Sequence, residues 1–77
     1  MERTIEVQLG SPPERDELVA QLFHTRGGQW GEIFREDGVY KLELFTAPNK
    51  PLTIDCEECL DAMQTAIAEL KARLEDP

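Results

Sequence analysis

Glu17-Leu18-Val19-Ala20-Gln21-Leu22-Phe23-His24-Thr25 reads two ways, and the choice between them sets the fold. As a helix, Leu18, Val19, Leu22 and Phe23 share one face. Ser11-Pro12-Pro13-Glu14 ahead of them has the form of a capping box with proline in the first turn, and Gly27 stands where a C-terminal cap belongs. As a strand, Leu18, Ala20 and Leu22 alternate against Val19, Gln21 and Phe23. The helical choice gives a βαββα chain with residues 12–26 helical; the other gives a β-meander.

The sequence downstream favours the strand. An aliphatic–Phe pair, then polar residues, then a turn-former recurs every eleven residues: Leu22-Phe23 through Gly27, Ile33-Phe34 through Gly38, and Leu44-Phe45 through Asn49. Short apolar runs closed by Gly or Asn at this spacing are how a meander is written. Gly27-Gly28 and Asp37-Gly38 suit two-residue hairpin loops, where φ must be positive. With those loops Leu22 faces Ile33 and Ile33 faces Leu42, and Tyr40 and Leu44 join the same aliphatic face.

Outward from this core, Thr4-Ile5-Glu6-Val7-Gln8-Leu9 alternates strictly and reads as a half-buried strand, ended by Gly10-Ser11-Pro12-Pro13. A short helical turn is expected near 12–16. At the other end Asp55-Cys56-Glu57-Glu58 resembles a capping box, and Cys56, Leu60, Met63, Ile67, Leu70 and Leu74 follow at steps of four and three as one apolar stripe. The expected architecture is a single α+β domain over residues 1–77. It has antiparallel strands at roughly 3–9, 17–25, 29–36 and 39–46, and a helix over 55–75 packed on one sheet face.

Composition narrows the function. The chain has 77 residues with 16 acids against 8 basic side chains, a net charge of −8. Residues 51–77 alone hold seven acids against Lys71 and Arg73. Such a surface opposes binding to nucleic-acid backbones and to anionic membranes, and it favours encounter with a basic partner. The N-terminal residues lack the basic start and apolar run of a signal peptide, and no stretch approaches a membrane span, so a cytoplasmic location is expected.

Catalytic and metal signals are thin. Cys56 and Cys59 flank two acids at a helix start. A redox pair is disfavoured by those acids, and a zinc site wants four ligands where His24 is the only histidine. Both thiols read as small core residues. His24 has no nucleophile or carboxylate assigned to it by the sequence, and no cofactor motif is present.

The second sheet face carries more information. The same register places Val19, Phe23, Trp30, Phe34 and Phe45 there, with Gln21, Glu32, Lys41 and Glu43. Trp30 is expected opposite Thr25 and beside Phe45. One helix covers one side of a sheet. This face is therefore a recognition surface, or lies under the N-terminal segment, or is one where Trp30 and Phe45 merely shield one another. The expected function is a small acidic non-catalytic protein-binding module, comparable in class to a bacterial immunity or inhibitor protein acting on a basic protein. Phe23, Trp30, Glu32, Phe34, Glu43 and Phe45 are its contact residues. The alternative is a homo-oligomer, such as a homodimer, built through the open face or an edge strand; a thiol redox or metal-binding protein ranks third.

Overall fold

The computed structural model describes residues 4–26, 28–45 and 52–75. Four strands, β1 (Ile5–Gly10), β2 (Val19–His24), β3 (Gly28–Glu36) and β4 (Val39–Leu44), form one antiparallel sheet in the order of the chain, and α1 (Cys56–Leu74) follows. The meander is therefore the fold, and residues 19–24 are strand rather than helix. Only a single turn precedes them, closed by the Arg15 N–H donating to the Pro12 carbonyl at 3.1 Å. Arg3 and Thr46, the outer ends expected for the first and fourth strands, lie outside the described residues.

Local chemistry explains the well-placed ends. Asp55 caps α1, its Oδ1 accepting from the Glu58 N–H at 2.9 Å. Glu57 and Glu58 occupy the first turn and Lys71 and Arg73 the last, each favoured by the helix dipole. The β3–β4 hairpin turns at Asp37 and Gly38, with φ of 53° and 78°, the left-handed pair a tight hairpin requires.

The β2–β3 register differs from the expected one. Leu22 pairs with Gly31 and Ala20 with Ile33, while Phe23 pairs with Gln29, so Trp30 is an extra residue forming a β-bulge. The connection is longer than two residues, since His24 pairs with Gly28. A two-residue offset preserves which face each side chain takes, so the aliphatic core survives the correction. The bulge does not preserve it for Trp30. The indole joins the core with Leu22, Ile33, Ala66 and Leu70 instead of the opposite face. Gly31 beside it bears no side chain to compete for the space: a Cβ there meets the Glu43 carbonyl oxygen at 3.2 Å and Leu42 Cδ1 at 3.4 Å.

The helix also sits differently from its apolar stripe. Ala62, Ala66 and Leu70 are its buried residues, with Cys59, Met63, Ile67 and Leu74 half-buried around them. Cys56 and Leu60 are exposed. Alanines at the contact bring the helix axis close to the sheet, where larger residues would hold it off. Thr4 ties the start of β1 to α1, donating from its backbone N–H and its hydroxyl to the Glu58 carboxylate.

Helix α1 packs on β1, β2 and β3. Its meeting with β4 runs through Tyr40, whose hydroxyl donates to Glu75 and whose ring lies 5.8 Å from Lys71 Nζ. Strand spacing makes a four-stranded sheet about 14 Å wide between its outer strands, against a helix about 10 Å across. One outer strand is left uncovered. Here it is β4.

Candidate functional site

The six expected contact residues do not form one open surface. Trp30 is in the core at 6% exposure. Glu32, Phe34 and Glu43 do come together on the second sheet face, but beneath Arg15 from the β1–β2 connection. Its Nε donates to Glu32 Oε1 at 3.1 Å and its Nη2 to Glu43 Oε1 at 2.8 Å, while its guanidinium lies 3.6 Å from the centre of the Phe34 ring. Bridging two carboxylates while stacking on a ring suits a guanidinium and not an ammonium group. Glu32, only 7% exposed, has the partner that a buried carboxylate needs. The β1–β2 connection thus straps this face through Arg15. Phe23 is half-buried and Phe45 is 43% exposed.

Below the strap lies an open cleft of about 540 Å³ with Leu18, Val19 and Phe34 in its wall. Its rim is rich in acids: Glu14, Asp16, Glu17, Glu36 and Asp37, beside Arg15 and Arg35. Glu17 accepts from Arg35 through both carboxylate oxygens, and Glu36 accepts from Lys41 at 2.6 Å. These bonds hold both carboxyls below their ordinary pKa, through the hydrogen bond first.

The thiols are separated in environment. Cys56 is exposed and Cys59 half-buried. Burial, and then the neighbouring Cys56, push the Cys59 thiol up, away from the thiolate that redox or metal chemistry uses. Among the described residues no group of three or more His, Cys, Asp and Glu side chains is placed to hold a metal ion. His24 Nδ1 accepts from the Arg26 N–H at 3.1 Å, a local turn contact.

The sequence reading missed the β4 flank. Leu42 and Leu44 were expected under the helix; they are 38% and 58% exposed. Val39 (55%), Phe45 and Leu60 (59%) complete the set of large exposed apolar side chains among the described residues. Four of these five lie in β4 or directly after it, on a strand at the sheet edge. The signal was the width of four strands against a single helix. Among the described residues no helix is long and apolar enough to cross a membrane. No protein-family model, curated protein or solved structure matches this chain.

Proposed function

We propose that this protein is a small, acidic, non-catalytic protein-binding module that docks through the β4 flank of its sheet. The observation that carries this reading is the gathering of exposed apolar side chains on one edge strand, Val39, Leu42, Leu44 and the adjoining Phe45. An edge strand offers both unpaired backbone groups and side-chain area, the two things that strand addition uses. Of the expected contact residues, Phe45 belongs to this surface and Phe23 is half-buried. Trp30, Glu32, Phe34 and Glu43 serve the fold.

The net charge of −8 supports a basic partner for the rest of the surface, as for an immunity- or inhibitor-like protein, with the acid-rimmed cleft as the region of strongest complementarity. The thiol reading has less support, since the Cys59 pKa moves the wrong way for a nucleophile. The test is affinity capture with the tagged chain, with mass-spectrometric identification of what is retained, for wild type, Leu44→Asp and Phe45→Asp. Both positions are exposed, so the variants keep their helical circular-dichroism signal and lose the retained protein. Equal recovery of the same protein by all three would sink the β4 docking reading.

A further inference from the structure

We infer that the chain seated on β4 is a second copy of this protein, joined by antiparallel β4–β4 pairing centred on Leu42; this rests on reading the β4 flank as a docking surface. The backbone sets the first condition. Phe45 N–H donates to the Trp30 carbonyl, and Val39, Lys41 and Glu43 stand opposite Glu36, Phe34 and Glu32. The backbone groups of these odd-numbered residues therefore point toward β3, and those of Tyr40, Leu42 and Leu44 point outward. Self-pairing satisfies these groups only where even-numbered residues face even-numbered ones.

The side chains choose among those registers. Val39-Tyr40-Lys41-Leu42-Glu43-Leu44-Phe45 is self-complementary about its centre. Centred on Leu42, Leu42 meets the partner's Leu42, Tyr40 meets the partner's Leu44, and Val39 meets the partner's Phe45. Lys41 meets the partner's Glu43, once on each side of the two-fold. Tyr40, Leu42 and Leu44 then exchange about six backbone hydrogen bonds, while the charge pairs fall at the closer, non-hydrogen-bonded positions, with Cα atoms about 4.5 Å apart. Moving the centre one step along either way sets Lys41 against the partner's Lys41, or Glu43 against the partner's Glu43. Like charges directly opposite are destabilising, and centres still further along pair only one end of β4, so the Leu42 register is the one that engages the whole strand without a like-charge pair.

Packing agrees with this arrangement. A two-fold perpendicular to the sheet keeps both helices on one side, each over its own β1–β3. The two uncovered strands meet in the middle and make a trough of Tyr40, Leu42 and Leu44 from both copies. Between two chains of charge −8, the neutral strand holding Lys41 and Glu43 is the seam of least repulsion. The present contacts of Lys41 with Glu36 and of Glu43 with Arg15 leave room for this, since an ammonium donates three bonds and a carboxylate accepts at both oxygens.

The test is the mass in solution of the full chain at micromolar concentration, by light scattering and sedimentation, with far-UV circular dichroism confirming that each variant is folded. Wild type is expected to be a dimer. Lys41→Glu and Glu43→Lys each place like charges across the seam and are expected to weaken association about tenfold or more. An equimolar mixture of the two restores opposite charges at both positions and is expected to form the heterodimer. A monomeric wild type overturns the inference, and so does a dimer that neither variant weakens. A monomeric wild type that still captures some other protein through Leu44 and Phe45 leaves the docking surface standing; a monomer whose capture ignores both residues removes that reading as well.

Discussion

Replacing Trp30 by alanine separates the observed fold from a surface-tryptophan reading by about 2 kcal/mol. The indole is 6% exposed and packs with Leu22, Ile33 and Leu70. Truncating a buried tryptophan costs about 3–5 kcal/mol. Against this, the buried Trp30 Nε1–H has no acceptor among the described residues, a defect worth about 1–3 kcal/mol that disappears with the ring. The net expectation for Trp30→Ala is a loss of about 2 kcal/mol. A chain of this length is held by only about 4–12 kcal/mol, and each kcal/mol moves Tm by about 4–8 °C, so the variant melts about 8–16 °C lower. Urea unfolding followed by far-UV circular dichroism is the assay, because the substitution removes the only tryptophan. Trp30→Phe, which keeps a ring and sheds the orphan donor, is expected to be milder. Phe45→Ala, at 43% exposure, is expected to change stability by no more than about 0.5 kcal/mol. Equal, small losses for Trp30→Ala and Phe45→Ala would refute the bulge-driven burial of Trp30.

Three further expectations follow from packing and charge. Ala66→Leu forces a larger side chain into a fully buried core position and should cost about 1–3 kcal/mol, whereas Leu60→Ala should stay within about 0.5 kcal/mol; the reverse order in urea melts would mean the helix presents its larger apolar stripe. Glu17 and Glu36 have folded pKa values below the ordinary 4.5, lowered by Arg35 and Lys41. Their stabilisation is present above that value and is lost as pH falls through the lowered ones, so the urea midpoint drops on acidification. Glu17→Gln should flatten that drop, and an unchanged slope would dissociate it from the Arg35 pair. Finally, a thiol reagent added to the native protein should modify exposed Cys56 well before Cys59, whose thiol is raised by burial; faster reaction at Cys59 would contradict that placement.

How far the sequence carried depended on how local each determinant was. The Asp55 cap and the Asp37-Gly38 turn are decided by a few neighbouring residues, and both were legible. Residues 19–24 were ambiguous locally, and the eleven-residue repeat resolved them because it compares one strand with the next two. The bulge escaped because face assignment by alternation assumes an unbroken ladder, and nothing in Gln29-Trp30-Gly31 marks the break except a glycine that alternation ignores. The helix face was missed for a different reason. Ala62 and Ala66 carry little hydropathy, so the larger stripe through Cys56 and Leu60 dominates the pattern although closer packing favours the alanines. Arg15 was invisible as a strap, since a charged residue in a Pro-rich connection looks like ordinary loop. Those three misses together moved the candidate surface from the second sheet face to β4.

The offset of α1 over β1–β3 also bears on how the molecule opens. Strand β4 is held by its ladder to β3, by Arg15 at Glu43 and by Tyr40, which reaches Glu75 and the margin of the core, while the enclosed core lies between α1 and β1–β3. Local opening free energies follow such differences in buried contact. The hairpin arm is therefore the part that detaches first, its amides trading hydrogen for deuterium while those of Leu22, Ile33 and Leu70 wait for global unfolding. A chain docked on β4 closes that door, and protection of the Tyr40, Leu42 and Leu44 amides is where its arrival registers first.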